Sequence, residues 1–189
     1  MRLRPDAVGW VLGARRIASP NFDARPPGLP IVLLVVHCIS LPRGVYGGPQ
    51  IAQLFTNHPF DAQASAQHDA ELASLAGLQV SSHFLIRRDG ALIQFVSCDA
   101  RAWHAGVSFW KGRERCNDFS IGIELEGVDD GPYTQAQYAV LLALQSGLAA
   151  RYPLRAQAAH SDIAPGRKTD PGSHFDWTLA TRGLPRDPG

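Results

Sequence analysis

The chain has 189 residues, 45% of them hydrophobic and 19% charged, which is typical of one globular domain with a single core. Its formal net charge of +1, without a long run of lysine or arginine, gives none of the basic surface expected of a nucleic-acid binder. The longest strongly apolar run, residues 31–36, is far shorter than the roughly 20 residues that span a bilayer, so no membrane partner is expected.

The start of the chain and its cysteines point to the cytoplasm. The first charged residues are not followed by the apolar stretch of a signal peptide. Cys38, Cys98 and Cys116 are far apart and odd in number, which favours free thiols in a reducing compartment. Residues 1–30 are polar and rich in proline, and we expect them to wrap the surface of a single domain that covers residues 1–189.

The first predicted strand is followed by a loop. Residues 31–36 are continuously apolar and rich in β-branched side chains, which predicts a strand buried on both faces with His37 at its end. Prolines and glycines then accumulate between residues 40 and 59, at Pro42, Gly44, Gly47, Gly48 and Pro49. This composition predicts a long loop without regular structure, and the loop 40–59 is our candidate lid. The alanine-rich residues 61–76 predict a helix that ends at Gly77.

A hairpin and a helix are predicted further along the chain. The apolar runs 80–86 and 91–96 flank an Asp-Gly turn at residues 89–90 and predict an antiparallel hairpin. A capping box between Thr134 and Gln137 opens a helix that must end before Pro153 and whose apolar residues recur at helical spacing, at Tyr138, Leu141, Leu142 and Leu148.

Residues 120–126 alternate strictly between apolar and other side chains. Ile121, Ile123 and Leu125 share one face of the predicted strand, so Glu124 lies on the other face, away from the core side. Together these elements predict an α/β fold with a mixed central β-sheet flanked by helices.

Two histidines occupy positions suited to chemistry. His37 and His160 each lie where a predicted strand gives way to a loop, and His160 is followed by Asp162, Lys168 and Asp170. Two neutral imidazoles and one carboxylate leave a fourth position on zinc free for water, as in catalytic zinc sites. The spacing between His160 and Asp170 is not a general metal-binding motif, so these residues alone do not establish a zinc site. The remaining histidines considered are His58 and His68 as solvated residues, His83 as a hydrogen-bonded core or groove residue, and His174 as ambiguous.

Four segments carry a family resemblance: residues 35–42 (VVHCISLP), 101–107 (RAWHAGV), 116–127 (CNDFSIGIELEG) and 160–172 (HSDIAPGRKTDPG). Together they resemble the cytoplasmic N-acetylmuramoyl-L-alanine amidases of the AmpD type. The GARR segment that begins at Gly13 and the SSHFLIRRDG hairpin segment extend the likeness over nearly the entire chain. The resemblance implies the amidase or peptidoglycan-recognition-protein-like fold.

The resemblance also implies a metal and two reacting groups. In that family two histidines and an aspartate hold zinc, which correspond here to His37, His160 and Asp170, with one Zn²⁺ per chain. Glu124 and Lys168 match the family's glutamate and lysine, and we expect Glu124 to move the proton and Lys168 to stabilise the oxyanion. The alternative is that Glu124 and Lys168 merely pair on the surface.

Residues beside the implied metal site raise two further questions. Trp103, His104 and Arg115 lie in segments that the family places beside the substrate groove, although Trp103 could equally be a core residue. Cys38 stands where the family carries asparagine, directly after the first ligand. A thiolate can bind zinc, but neighbouring residues on a strand point to opposite sides, so we expect Cys38 to face away from the metal.

The implied function is hydrolysis of the amide bond between the lactyl group and L-alanine in 1,6-anhydro-N-acetylmuramyl peptides, during peptidoglycan recycling in the cytoplasm. A monomer is expected, with indirect control of β-lactamase induction where the regulator exists. Two alternatives are a peptidoglycan-recognition module that binds without cutting, and a secreted or phage-type amidase that degrades intact wall. The three zinc ligands argue against the first alternative, and the missing export signal argues against a secreted enzyme.

Overall fold

A six-stranded mixed sheet forms the centre of the structure, a computed structural model that describes residues 3–60 and 69–189. All neighbouring strands are parallel except the β4–β5 pair, which confirms the predicted hairpin. In spatial order the strands are β1 (Arg15–Arg16), β5 (Leu92–Gln94), β4 (Phe84–Ile86), β9 (Ser120–Glu126), β3 (Leu33–Ile39) and β10 (Ala156–Ala159).

Smaller strands and the helices surround this sheet. Two strand pairs lie outside it: β2 (Phe22–Ala24) with β6 (Ala100–Ala102), and β7 (Phe109–Trp110) with β8 (Arg113–Glu114). The helices are α1 (Gln50–Thr56), α2 (Asp69–Ser74), α3 (Gln135–Ala149), α4 (His160–Ile163) and α5 (Trp177–Ala180). The architecture confirms the predicted mixed sheet flanked by helices. None of these helices, within the ranges 3–60 and 69–189, has the length and apolar character needed to cross a bilayer.

The central strand β3 is buried on both faces, as its apolar run predicts. Leu34 and Val36 pack in the core cluster that contains Ile121, Ile123 and Leu125, whereas Leu33 and Val35 pack in a second cluster on the opposite face. The prediction that β3 ends at His37 is wrong, because pairing with β9 continues through Ile39. Within this register His37 lies directly beside Glu124.

The prediction of an irregular loop throughout residues 40–59 is wrong in its second half. Apart from Pro59, its prolines and glycines all precede residue 50, and the chain then forms α1. Ile51, Leu54 and Phe55 recur at helical spacing and are buried, so their burial stabilises a helix that the overall composition concealed. The irregular parts of the predicted loop are therefore residues 40–49 before α1 and residues 57–59 after it.

Two other helix predictions are partly met. Residues 61–68 of the predicted helix 61–76 lie outside the described residues, while α2 forms within its second part and Gly77 has the positive φ of +78° expected after a helix. Helix α3 has the predicted capping box. Leu142, however, is only half-buried, and Leu144 takes the place in the core that we assigned to it.

The N-terminal segment does more than wrap the surface. It supplies the edge strand β1, and the side chains of Leu3 and Val11 lie in the main core. A close approach occurs at Gly147 in α3, where an added Cβ would overlap the carbonyl oxygen of Leu3.

Replacing Gly147 with alanine should therefore destabilise the protein, although alanine is more favourable than glycine in a helix interior by about 1 kcal/mol. The methyl group has to displace the Leu3 backbone, and overpacking of this kind costs about 1–3 kcal/mol. Urea unfolding of Gly147→Ala measures the change, with Ser146→Ala at the exposed neighbouring position as the matched control within about 0.5 kcal/mol of the parent. A Gly147→Ala protein more stable than the parent would contradict the close contact.

Candidate metal centre

The sheet brings the two histidines of the candidate site together. His37 lies near the carboxyl end of β3, and β10 runs parallel beside it with Ala159 opposite Val36. His160 is the residue directly after β10, so it lies next to His37 although 123 positions separate them. The following loop folds back because the Ser161 N–H donates to the Asp170 carbonyl oxygen at 3.0 Å. This contact positions Asp170 beside both histidines.

The three side chains form a compact donor group, which we call the His-His-Asp group. Nδ1 of His37 lies 2.9 Å from Nδ1 of His160. Oδ2 of Asp170 lies 3.2 Å from the first of these nitrogens and 3.0 Å from the second. All three ligand atoms lie within 4.8 Å of one another, so this group could hold a metal ion. Both imidazoles are almost completely buried, while the Asp170 side chain is 15% exposed and marks the open side of the group.

The electrostatics of the group suit a cation. Burial, with a contribution from His160, lowers the pKa of His37 to about 4, so its imidazole is neutral near pH 7. Burial opposes the ionisation of Asp170, but the adjacent imidazoles of His160 and His37 outweigh it and hold the pKa of this carboxyl well below its usual range. Two neutral nitrogens and one anionic oxygen are donors that zinc prefers.

The structure keeps the two alternative ligands away from this group. The Asp162 carboxylate accepts the Ala159 N–H at 2.9 Å and pairs with Arg186 at 2.9 Å, so it stabilises the start of α4. Cys38 packs against the core cluster on the face of β3 opposite His37, as strand alternation predicts. Burial raises the pKa of the Cys38 thiol to about 12, which disfavours the thiolate that a metal would need.

Glu124 and Lys168 line the same cavity as the His-His-Asp group, and its volume is about 240 Å³. Glu124 is buried, and its Oε2 has no hydrogen-bond partner among the described residues. Burial, reinforced by the charge of Asp170, raises the pKa of Glu124 well above its usual value. Lys168 is exposed on the loop two residues before Asp170, and no surface ion pair joins it to Glu124 within the described part of the chain.

The three predicted groove residues lie in different places. Trp103 is half-buried and lines the 240 Å³ cavity together with His104. Arg115 instead lines a second cavity of about 680 Å³, together with Arg101, Arg167 and Glu114. The structure therefore separates the predicted substrate contacts into a site beside the His-His-Asp group and this second, arginine-lined cavity.

A backbone carbonyl that the sequence did not predict also contacts the His-His-Asp group. Nε2 of His160 lies 3.2 Å from the carbonyl oxygen of Ala105, which also accepts a hydrogen bond from Arg167 at 2.6 Å. A carbonyl can only accept, so His160 carries its proton on Nε2 and presents a free lone pair on Nδ1. Every residue has a backbone carbonyl, so no sequence pattern could have identified this one.

A profile of the N-acetylmuramoyl-L-alanine amidase family matches residues 27–173, a range that contains the whole His-His-Asp group. The chain belongs to this family. This family member is 54% identical over 177 residues to the 1,6-anhydro-N-acetylmuramyl-L-alanine amidase AmpD of Escherichia coli K12, with 89% of this chain and 91% of that protein covered.

Two solved structures support the family fold. A crystal structure of a selenomethionine AmpD derivative matches with a TM-score of 0.85 and 50% identity, covering 95% of this family member and 98% of that chain. The amidase AmiD of E. coli, in complex with the substrate anhydro-N-acetylmuramic acid-L-Ala-D-γ-Glu-L-Lys, matches with a TM-score of 0.58 and 33% identity, covering 97% and 66% of the two chains. The amidase fold expected from the resemblance is thereby confirmed.

Proposed function

We propose that this chain is a zinc-dependent amidase that hydrolyses the bond between the lactyl group and L-alanine in 1,6-anhydro-N-acetylmuramyl peptides. The observation that supports this most directly is the His-His-Asp group in one cavity with a buried, unpaired carboxylate, Glu124. The relatives support the substrate class, because one is named a 1,6-anhydro-N-acetylmuramyl-L-alanine amidase and another is in complex with an anhydromuramyl peptide.

The residues present fit zinc. The donor set has two nitrogens and one oxygen, which would hold zinc with one protein ligand fewer than the four of a structural zinc site, as catalytic zinc sites do. When bound there, zinc lowers the pKa of a coordinated water and polarises the scissile carbonyl.

Glu124 is the proposed general base and acid. It lies beside His37 across the β3–β9 pair, and burial raises its pKa well above the usual value. A carboxylate in this position can remove a proton from the attacking water and then deliver it to the departing alanine nitrogen. Because Oε2 has no partner among the described residues, it is available to hydrogen-bond the water and the nitrogen in turn.

Lys168 is the proposed oxyanion stabiliser. Lys168 lines the cavity that contains Glu124 and Asp170. The carbonyl oxygen gains negative charge as the tetrahedral intermediate forms, and a fixed positive group there contributes on the order of 3 kcal/mol to the transition state.

The two cavities provide for the rest of the substrate. Trp103 and His104 are proposed contacts near the scissile bond, in the cavity of the His-His-Asp group. Arg115, with Arg101 and Arg167, lines the second cavity, where the three arginines outnumber the single carboxylate of Glu114 and favour the carboxylates of a stem peptide.

The loop at residues 40–49 is the proposed lid. Ser40 and Arg43 line a cavity of about 400 Å³ together with Lys168 and Asp170. The Arg43 guanidinium pairs with Asp129 at 2.8 Å while remaining 56% exposed. An exposed ion pair is worth at most about 1 kcal/mol, so this contact can open without a large cost.

Product should slow amide hydrogen exchange in residues 40–49, because a closed loop shields its backbone from water. Mass spectrometry of exchange with and without the released stem peptide and sugar measures this effect, and α3 provides a segment whose exchange should stay unchanged. Equal exchange of the loop in both conditions would contradict the lid.

Product analysis tests the proposed function itself. Purified protein with zinc is incubated with an anhydromuropeptide, a reducing-end muropeptide and insoluble sacculi, and the products are identified by mass spectrometry. We expect release of the stem peptide and anhydromuramyl sugar from the first substrate at the highest rate. Binding without cleavage would instead indicate a recognition module, and preferential cleavage of sacculi would indicate a wall-degrading amidase.

We further propose that this hydrolysis serves peptidoglycan recycling in the cytoplasm. Through recycling, it would indirectly affect β-lactamase induction.

A further inference from the structure

A chain of hydrogen bonds lies behind His37, on the side away from the His-His-Asp group. Nε2 of His37 lies 2.9 Å from Nδ1 of His104. Nε2 of His104 lies 3.2 Å from the hydroxyl oxygen of Ser120, which in turn lies 2.6 Å from the carbonyl oxygen of Cys116. His104 therefore connects a proposed metal ligand to the backbone.

The last group of this chain determines the direction of every hydrogen bond in it. The Cys116 carbonyl can only accept, so Ser120 donates its single hydroxyl hydrogen to it. The Ser120 oxygen then accepts from Nε2–H of His104. A neutral His104 with its proton on Nε2 presents an acceptor at Nδ1.

The consequence reaches the metal-binding nitrogen. Since Nδ1 of His104 accepts, His37 has to carry its proton on Nε2. Its Nδ1 then has a free lone pair, and this is the nitrogen that lies 3.2 Å from Oδ2 of Asp170. His160 reaches the same tautomer directly, through the carbonyl oxygen of Ala105.

A second set of contacts fixes the position of the His104 ring. An added Cβ at Gly122 would lie 2.5 Å from Cγ of His104, so only glycine at this position of β9 leaves room for the imidazole. The backbone N–H groups of His104 and Ala105 both donate to Oδ1 of Asn117, at 3.2 Å and 2.8 Å. The ring is therefore constrained by packing as well as by its own hydrogen bonds.

We propose that His104 is a positioning residue which, together with Ser120, fixes His37 in the Nε2–H tautomer and thereby increases the metal affinity of the His-His-Asp group. This role rests on the proposed metal site and is separate from the proposed substrate contact of His104, because both ring nitrogens are engaged by His37 and Ser120. Outer partners of metal-binding histidines of this kind typically contribute about 10–100-fold in affinity.

The test compares two substitutions of similar size. His104→Asn keeps a side-chain oxygen that can accept from His37, whereas His104→Leu removes the acceptor. We expect His104→Leu to weaken zinc binding by about 10-fold or more in chelator competition, and His104→Asn to restore most of that loss. Nitrogen-15 shifts of the imidazoles in the zinc-free protein provide a second measurement, with His37 protonated on Nε2 in the parent and a mixture of tautomers in His104→Leu.

Each outcome supports or overturns the inference. If the parent binds zinc and His104→Leu binds it equally tightly with the same tautomer, the positioning role is wrong while the metal site stands. If the parent binds no zinc, the metal site and the inference fail together. If His104→Leu does not fold, Ser120→Ala provides the test. It removes the acceptor for His104 Nε2–H, so His37 should again populate both tautomers; a single Nε2–H tautomer in Ser120→Ala would contradict the inference.

Discussion

Replacing His37, His160 or Asp170 with alanine should remove bound zinc and amidase activity together. Each substitution deletes one of three protein donors that lie within 4.8 Å of one another. Because loss of an outer partner alone costs about 10–100-fold in metal affinity, loss of a direct ligand should exceed about 100-fold. Zinc content after dialysis and the hydrolysis rate of an anhydromuropeptide measure the two losses.

Asp162→Ala is the matched control for Asp170→Ala. Both carboxylates follow His160 in the sequence, but Asp162 accepts the Ala159 N–H and pairs with Arg186. Its removal should cost about 1 kcal/mol in stability, as loss of a helix cap does, and leave zinc content near one per chain. Retention of zinc and activity in Asp170→Ala would show that the ligand set is wrong.

Replacing Glu124 with glutamine should separate catalysis from metal binding. The amide keeps the shape of the side chain but cannot act as a base, so the hydrolysis rate should fall by a factor of about 100 or more. Glu124 lies outside the His-His-Asp group, so zinc content should remain near one per chain. Activity assays and metal analysis on the same preparation measure both quantities. Loss of zinc from Glu124→Gln would mean that Glu124 is a ligand.

Lys168→Ala is expected to resemble Glu124→Gln, with a lower rate and unchanged zinc. The Lys168 ammonium group is proposed to stabilise the negative charge that develops on the carbonyl oxygen only in the transition state. Loss of this group should therefore lower kcat more than it raises KM. A large rise in KM with unchanged kcat would instead assign Lys168 to substrate binding.

Local patterns in the sequence predicted the elements whose signals are themselves local. The Asp-Gly turn predicted the β4–β5 hairpin, and alternation in β9 placed Glu124 opposite the face of Ile121 and Ile123. Helix α1 was not predicted, because the prolines and glycines before residue 50 masked the helical spacing behind them.

The site itself depends on long-range pairing that no short pattern records. His37 and His160 become neighbours because β10 pairs with β3, and the sequence contains no rule for that partner choice. The spacing between His160 and Asp170 does not by itself predict that the two side chains meet. They meet because the loop folds back and the Ser161 N–H donates to the Asp170 carbonyl oxygen. In the sequence alone, only the family resemblance assigns His37, His160 and Asp170 to one metal ion.

The place of β3 in the sheet also bears on how the protein is made. It leaves the ribosome well before both of its neighbours, β9 and β10, which are encoded much later. Until they emerge, two unpaired edges of a strand rich in valine and leucine stay available to other nascent chains. We therefore expect synthesis in excess to yield aggregates, and slower translation or a chaperone that covers this strand to increase the recovery of folded enzyme.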